Sequence, residues 1–227
     1  TTMGLQQYRP VGKTSVKVDY YGDLEMNEIK NLIKGRRKGD KQTDIGRTMA
    51  MFREEKRIAK TIGRKFAVAV NSGTEALHFS LILNNIGPGD EVLVTNFSWI
   101  SSASVVSMVG ATPVFCDVDL ETNHISVDSM KRMYSDKVKA IIYPHLFGNI
   151  SDMQYTQKFC EEKNIKLIED ACQSFGANRD GQHAGTYGDV STLSFNANKP
   201  VAGLAGGGAF LTDNKEEANL VRKLRRH

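Results

Sequence analysis

The sequence is short of the features that mark specialised classes of protein. Its three cysteines, Cys116, Cys160 and Cys172, cannot all pair within the chain, and each lies in or beside an apolar segment. Reduced, partly buried thiols are typical of a cytoplasmic protein, so we expect that compartment. No apolar run is long enough to cross a bilayer, and the first residues show no basic region before an apolar one. We therefore predict neither a membrane span nor a signal peptide.

A large charge excess is missing as well. The 30 basic and 26 acidic residues leave a net charge of +4, which is too small to indicate a nucleic-acid partner. Basic residues cluster only at 34–41 and 222–226, and we interpret the first cluster as a solvated surface or loop. The remaining composition, 40% hydrophobic and 25% charged, is ordinary for a soluble globular protein with one large domain.

What the chain does contain is an alternation of short apolar strands and amphipathic helices. It predicts strands near residues 66–70, 91–95, 112–118, 140–143, 166–169, 190–195 and 208–211, and helices near 48–62, 74–83, 100–109, 127–134, 153–163 and 216–226. This pattern is typical of the α/β class, with a mostly parallel mixed sheet sandwiched by helices. Only loop separates the last two strands, so we expect antiparallel pairing there. Residues 1–45 are polar and weakly patterned, which divides the chain into an N-terminal segment, 1–45, and a large domain, 46–227.

The first predicted strand runs directly into the sequence Asn71-Ser72-Gly73-Thr74-Glu75, where a helix begins. Free backbone amides at a helix N-terminus, here those of Gly73, Thr74 and Glu75, attract an anion such as a phosphate group. The same residues also make an ordinary helix cap, with Ser72 or Thr74 as the capping residue. The sequence leaves both interpretations open. It does argue against a dinucleotide-binding fingerprint, because the spaced triple glycine is absent.

Two further strand ends carry groups suited to a planar ring. Trp99, the only tryptophan, follows the second strand, where α/β proteins place ligand loops; its indole can stack on a ring or pack in the core. Asp170 ends an apolar strand, and a buried carboxylate needs a cation. A protonated pyridine nitrogen would serve, but so would a surface lysine, and Asp170 could instead cap the next helix. Gln173 follows closely enough to donate to a ring oxygen.

Lys199 follows an apolar run and precedes a cluster of glycines. An amine at this place can form an imine with an aldehyde, and Ser194 can bind a phosphate, although an exposed loop is the commoner fate of any one lysine. Nevertheless, an anion site, a stacking ring, a buried acid and an amine occur in succession near strand ends. Four unrelated residues are a poor explanation of this order, so we interpret the groups as one site. Pyridoxal phosphate requires such groups, so we predict this cofactor and no metal ion.

Six motifs carry a family resemblance: NSGTEAL at 71–77, GPGDEVLVTNFSW at 87–99, GATPVFCDVD at 110–119, HLFGN at 145–149, IEDACQ at 168–173 and SFNANK at 194–199. Through them the chain resembles, from about residue 44 to residue 227, the sugar aminotransferases of the DegT/DnrJ/EryC1/StrS family. These are pyridoxal-phosphate enzymes of fold type I. The set is specific because several motifs occur in the right order at familiar separations.

The resemblance implies a role for each candidate residue. Lys199 is implied to form the imine with the cofactor and to move a proton, and Asp170 to pair with the pyridine nitrogen. Gln173 is implied to contact the ring hydroxyl and Trp99 to stack on the ring. The implied phosphate contacts come from Gly73, Thr74, Glu75 and Ser194. His145 lies in a family motif, but we assign it no role.

The implied activity is the transfer of an amino group from glutamate or glutamine to a keto group on a nucleotide-linked sugar, in a homodimer with the site at its interface. Family members usually run to nearly twice this length, so we expect the small C-terminal domain to be largely absent from this chain. The residues after the lysine, 200–208, also depart from the family's usual sequence.

Three alternatives stay open at this stage. The short length and the altered loop favour a cofactor-binding fragment or a regulatory relative without turnover. A second alternative is a pyridoxal-phosphate-dependent deoxysugar dehydratase; such family members typically carry histidine at the position of Lys199. The third is a plain nucleotide-binding α/β domain, which the missing glycine fingerprint disfavours.

Overall fold

The computed structural model describes residues 54–202 and 206–225. The predicted N-terminal segment, 1–45, and the beginning of the helix predicted at 48–62 lie outside these residues, so the proposed division of the chain stays a prediction. Residues 54–62 are helical, and this stretch is called α1. Within the described part of the chain, no helix has the length and apolar character that a membrane crossing requires.

The strands and helices follow one another along the chain much as the sequence pattern predicts. The strands are β1 (Phe66–Val70), β2 (Glu91–Thr95), β3 (Thr112–Cys116), β4 (Val138–Pro144), β5 (Lys166–Asp170), β6 (Asn178–Arg179), β7 (Gln182–His183), β8 (Val190–Ser194) and β9 (Gly208–Thr212). The helices after α1 are α2 (Gly73–Leu83), α3 (Ser101–Met108), α4 (Val127–Met133), α5 (Gln154–Lys163) and α6 (Lys215–Leu224), with a short 3-10 turn at Leu146–Gly148.

Seven of these strands form one sheet in the order β1-β9-β8-β5-β4-β2-β3. Strand β9 pairs antiparallel with both β1 and β8, and the other pairs are parallel. The predicted α/β class and the antiparallel pairing of the last two strands are confirmed. A parallel neighbour needs a crossover, usually helical. Residues 195–202 and 206–207 contain no helix, which accounts for the reversal of β9.

Both faces of the sheet are buried. Successive residues of a strand point to opposite faces, and Ile141 and Ile142 of β4 accordingly belong to two different hydrophobic clusters. The first cluster also contains side chains of α1, α4 and α5, and the second contains side chains of α2, α3 and α6. Because helices cover both faces, the central strands are apolar along most of their length instead of alternating with polar residues.

A two-stranded hairpin, β6–β7, does not appear among the predicted elements. Its strands have only two residues each, too few for a hydrophobic pattern to reveal. The sequence does contain a turn signal at this place, the pair Asp180-Gly181. In the structure both residues adopt positive φ angles, 54° and 84°. An Asp-Gly pair with this backbone is typical of a tight hairpin turn.

The direction of the strands gathers the candidate residues at one edge of the sheet. Strands β2, β4, β5 and β8 run in the same direction, so their carboxyl ends lie side by side. Strand β1 shares this direction because it and β8 are both antiparallel to β9. Ligands of open α/β sheets bind beyond this edge. The residues at or just after these strand ends include Gly73, Trp99, His145, Asp170 and Ser194.

Candidate active site

A cavity of about 300 Å³ opens at the carboxyl edge of the sheet. Every residue predicted for the site except Glu75 lines it, namely Gly73, Thr74, Trp99, Asp170, Gln173, Ser194 and Lys199. These residues come from four separate stretches of the chain. The tertiary structure therefore brings together groups that the sequence only places in order.

The N-terminus of α2 combines the two interpretations that the sequence left open. Ser72 caps the helix, because its Oγ accepts a hydrogen bond from the Glu75 backbone N–H at 3.1 Å. The Glu75 carboxylate in turn accepts the backbone N–H of Asn71, the residue before the cap, at 2.8 Å, so it also holds this turn. The Glu75 amide is thus engaged, and its predicted contact with a phosphate stays a prediction. The first two helical residues, Gly73 and Thr74, line the cavity.

Gly73 is required here by a close approach of three chain segments. A Cβ atom at this position would lie 2.6 Å from Cys172 Sγ and 3.0 Å from Ser194 Cβ. The first turn of α2 therefore packs directly against the ends of β5 and β8. Gly208 plays the same part on the other side, where an added Cβ would lie 2.3 Å from the carbonyl carbon of Ser72. The two glycines let the helix N-terminus enter the site.

Asp170 supplies a buried carboxylate to the cavity. The residue is only 8% exposed, and its Oδ1 accepts the backbone N–H of Cys172 at 3.1 Å. Its Oδ2 accepts the hydroxyl of Ser102 at 3.3 Å. Neither donor is a cation, and no lysine or arginine of residues 54–202 and 206–225 forms an ion pair with it. A buried carboxylate on a cavity wall without a cation is suited to a positively charged ligand.

Cys172 lies beside this carboxylate and is kept as a neutral thiol. Burial, together with the negative charge of Asp170 and a hydrogen bond to it, raises the pKa of the Cys172 thiol well above its usual range. The Sγ atom also lies 3.7 Å from Thr192 Oγ1. The thiol therefore adds no charge that would compete with Asp170.

Gln173 and Trp99 occupy other parts of the cavity wall. The Gln173 Oε1 atom accepts the backbone N–H of Phe147 at 3.1 Å, so the amide NH₂ is the end left to donate to a ligand. Trp99 precedes α3 and is 63% exposed, which is unusual for the largest apolar side chain. The alternative of a core tryptophan is therefore wrong. An exposed indole on a cavity wall offers a face on which a planar ring can stack.

Lys199 lies in a turn after β8, where its backbone N–H donates to the Asn196 carbonyl at 2.9 Å. The residue is half-buried and lines the cavity, together with Asn196 and Asn198. Ser194 lies at the end of β8 and also lines the cavity. The alternative of a fully exposed loop lysine is not what the structure shows.

One buried pair at the cavity was not recognised from the sequence. The imidazole of His145 and the carboxylate of Glu169 are both fully buried, and Nε2 lies 2.8 Å from Oε1. Burial tends to raise the pKa of Glu169, but hydrogen bonds from His145, Gly185 and Gly188 outweigh it and hold that pKa below its usual range. The signal that could have revealed the pair is an acid inside an apolar strand, since such a group needs a partner.

The two residues also connect the ends of neighbouring strands. The backbone N–H of His145 donates to the Asp170 carbonyl at 3.0 Å, and His145 lines the cavity. Its Nδ1 atom is buried and has no hydrogen-bond partner among the described residues. The pair therefore supports the strand end that carries Asp170.

The described groups fit pyridoxal phosphate as a set. Amides at the start of α2 suit a phosphate, the Asp170 carboxylate suits a protonated ring nitrogen, and the Trp99 indole suits the ring face. Lys199 offers an amine on the wall of the same cavity. The anion site requires a negatively charged group on the ligand, and the unpaired buried carboxylate requires a positively charged one. Pyridoxal phosphate carries both, in its phosphate and its protonated ring nitrogen.

Comparison with known proteins also indicates a pyridoxal-phosphate enzyme. The sequence model of the DegT/DnrJ/EryC1/StrS aminotransferase family matches residues 23–227. The chain is 38% identical to GDP-perosamine synthase of Caulobacter vibrioides over 81% of this chain and 48% of that protein. It is 33% identical to UDP-2-acetamido-2-deoxy-3-oxo-D-glucuronate aminotransferase of Pseudomonas aeruginosa, over 76% of this chain and 48% of that protein.

A solved structure is similar in both fold and sequence. GDP-4-keto-6-deoxymannose-3-dehydratase with a trapped PLP-glutamate geminal diamine superposes with a TM-score of 0.71 and 31% identity, covering 76% of this chain and 46% of that one. The chain spans about half the length of the curated relatives it matches. On the family match, the chain belongs to the DegT/DnrJ/EryC1/StrS aminotransferase family.

Proposed function

We propose that this chain provides the cofactor-binding part of a pyridoxal-phosphate-dependent aminotransferase that acts on a nucleotide-linked keto sugar. The observation that carries the proposal is the buried Asp170 carboxylate, which faces the same cavity as Lys199 and has no cationic partner among the described residues. The relatives support the substrate class, since one is named for a 3-oxo sugar linked to UDP and another for a GDP sugar.

Each cavity residue has a task in this proposal. The amides of Gly73 and Thr74 hold the phosphate, helped by the hydroxyl of Ser194. Trp99 covers one face of the ring and excludes water from it. Gln173 donates to the ring hydroxyl through its NH₂ group, because Phe147 occupies its other end.

Two residues handle the protons. When bound, pyridoxal phosphate supplies the electron sink for negative charge that develops on a substrate carbon. Asp170 keeps a proton on the ring nitrogen by placing a carboxylate against it. Lys199 holds the aldehyde before the amino donor arrives, and its freed Nζ then moves a proton to and from the substrate carbon.

The amino donor, the assembly and the compartment belong to the same proposal. Glutamate or glutamine is the expected donor, which agrees with the glutamate adduct named for the similar dehydratase structure. We propose a homodimer because the family resemblance implies a site shared between subunits. A cytoplasmic location is supported by the three free thiols, of which Cys116 and Cys160 are buried.

Two rivals use the same cofactor site. A deoxysugar dehydratase is supported by the similar solved structure, but the resemblance implies histidine where this chain has Lys199. A protein that binds the cofactor without turnover is supported by the altered sequence after Lys199, where Pro200, Val201 and Ala202 follow the lysine. Both alternatives bind the cofactor as the aminotransferase does, but the dehydratase removes water from the sugar and the binding protein catalyses no reaction.

Borohydride reduction tests the cofactor site. Purified protein mixed with pyridoxal phosphate and then reduced should carry the label on one peptide, the one that contains Lys199. The variant Lys199→Ala should lose the label, whereas the control Lys131→Ala should keep it, because Lys131 is exposed and does not line the cavity. A label on another lysine would refute the assignment.

Addition of glutamate separates the three functions. An aminotransferase should convert the bound aldehyde form of the cofactor to the amine form and yield one 2-oxoglutarate per site. The amine form should then return to the aldehyde when a nucleotide-linked keto sugar is added and aminated. Loss of water from the sugar in the second step would favour the dehydratase, and an unchanged spectrum would favour binding without turnover.

A further inference from the structure

Three polar side chains form a chain of hydrogen bonds that ends on the carboxylate of the cavity. Ser98 Oγ lies 3.2 Å from Ser102 Oγ, and Ser102 Oγ lies 3.3 Å from Asp170 Oδ2. Ser102 is only 2% exposed, and Ser98 is half-buried. Neither serine has a role in the function proposed above.

The direction of these hydrogen bonds follows from the groups involved. A carboxylate only accepts, so the single hydroxyl proton of Ser102 is donated to Asp170. Ser102 then has only lone pairs left for its other neighbour, and Ser98 must donate to Ser102. Donation to a charged acceptor is among the stronger hydrogen bonds in proteins, and here the donor is buried as well.

The first turn of α3 is built to make this contact. Its N-cap, Ile100, makes no side-chain capping hydrogen bond, and the hydroxyls of the next two residues, Ser101 and Ser102, bond to other parts of the chain. Ser101 Oγ lies 2.8 Å from Thr74 Oγ1 at the anion end of the cavity, while Ser102 reaches Asp170 at the other end. One helical turn thus contacts both ends of the site.

We propose that Ser102 is a positioning residue that orients the Asp170 carboxylate toward the ring nitrogen of a cationic pyridine. The Cys172 N–H holds Oδ1 and the Ser102 hydroxyl holds Oδ2, so donors on two separate elements fix the plane of the carboxylate before a ligand enters. Such preorganisation avoids the cost of reorienting the group when the ligand binds. The inference rests on the proposed function, because it assumes that Asp170 meets a ring nitrogen.

Binding of two ligands tests the inference without any turnover. Pyridoxamine phosphate keeps the ring nitrogen but forms no imine, and its deaza analogue carries C–H in place of that nitrogen. Quenching of Trp99, the only tryptophan, reports both affinities. We expect Ser102→Ala to weaken the binding of pyridoxamine phosphate about tenfold, as loss of one hydrogen bond to a charged group would, and to leave the affinity for the deaza analogue within about twofold of wild type.

The control is Ser80→Ala, which removes another fully buried helical hydroxyl, one that donates to the Ala76 carbonyl inside α2. It should change neither affinity. Ser102→Thr retains the hydroxyl and should bind pyridoxamine phosphate like the wild type, whereas Ser102→Cys, a weak donor, should resemble the alanine variant. The threonine and cysteine pair decides the matter if the alanine variant does not fold.

Two results would overturn the inference while leaving the proposed function intact. One is an unchanged affinity of Ser102→Ala and Ser102→Cys for pyridoxamine phosphate. The other is an equal loss of both ligands, which would indicate a general change of the cavity. If the wild-type protein binds neither ligand, the proposed function itself is wrong, so the two failures are distinguishable.

Discussion

The carboxylate of Glu169 and the imidazole of His145 lie 2.8 Å apart with both side chains fully buried. Glu169 also accepts the backbone N–H groups of Gly185, at 2.5 Å, of Tyr187, at 2.8 Å, and of Gly188, at 3.1 Å. Four donors thus saturate the carboxylate of the residue that precedes Asp170 in β5. The arrangement ties loop 185–188 to the ends of β4 and β5.

Replacing Glu169 by Gln should destabilise the fold by about 3 kcal/mol at neutral pH. The amide would keep one acceptor but place its own N–H₂ against backbone donors, which leaves buried donors unpaired. Urea denaturation of wild type and variant measures the difference. The control Glu161→Gln, an exposed glutamate on α5, should change the free energy of unfolding by less than about 0.5 kcal/mol.

The contribution of Glu169 should also depend on pH. Its pKa is lowered in the fold, so its stabilisation is fully present above the unfolded-state pKa of about 4.3 and is lost as the pH falls through the lower folded-state value. The gap between wild type and Glu169→Gln should therefore narrow when unfolding is measured from about pH 7 to about pH 3. A gap that widens on acidification would contradict this account.

Replacing Arg64 by Lys should cost about 2–3 kcal/mol of stability. The buried guanidinium donates to the carbonyls of Gly185 and Gly188 at 2.6 and 2.5 Å and to Asp213 at 2.9 Å, and a lysine cannot make all three contacts. Thermal unfolding measures the loss. The control Arg57→Lys should be near neutral, because Arg57 is partly exposed and, among the described residues, its ion pair is with Glu54 three residues away. Equal effects would show that the geometry of Arg64 is unimportant.

Replacing Gly73 by Ala should weaken pyridoxal phosphate roughly tenfold, since overpacking of about 1–3 kcal/mol would displace the amides of α2. The new Cβ would lie 2.6 Å from Cys172 Sγ, so the double variant with Cys172→Ala should recover part of the affinity. Titration of the cofactor measures both. Gly87→Ala is the matched control, because its Cβ would meet only the Val109 carbonyl at an ordinary 3.6 Å. A tenfold loss in the control would refute the steric explanation.

All three thiols should resist alkylation in the folded protein. Burial raises the pKa of Cys116 to about 11 and that of Cys160 to about 12, and burial together with the charge of Asp170 raises the pKa of Cys172 well above its usual range. The reactive thiolate is therefore scarce at about pH 8. Iodoacetamide labelling followed by mass spectrometry should be at least about a hundredfold slower than in urea. Rapid labelling of Cys172 in the folded state would mean that its environment is misassigned.

Several parts of the site were predictable because local physical chemistry produces them. The cap at Ser72 and the amides that follow it depend on the residues of one strand-to-helix turn. The burial of Asp170 was predictable because this acid ends an apolar strand, whereas its role toward a ligand stays a prediction. The class of fold was predictable too, since a hydrophobic pattern of alternating period reports which faces are buried.

Other parts were not predictable because they depend on neighbours far away in the sequence. No local signal distinguishes Ser102, which touches Asp170, from the adjacent Ser101, which touches Thr74. The role of Glu75 depends on whether its amide is engaged by the cap, and the sequence permits both arrangements. The partner of Glu169, His145, directly follows the neighbouring strand of the sheet.

The amino-acid sequence by itself determined the α/β class, the succession of strands and helices, and the set of residue types suited to an anion, a ring and an aldehyde. Only the tertiary structure decided which of them meet in one cavity, because strand order and direction set the distances between groups more than 100 residues apart, such as Gly73 and Ser194. Close approach at Gly73 and Gly208, and the buried hydrogen bonds to Asp170 and Glu169, arise from packing. Hydrophobic periodicity carries no information about them.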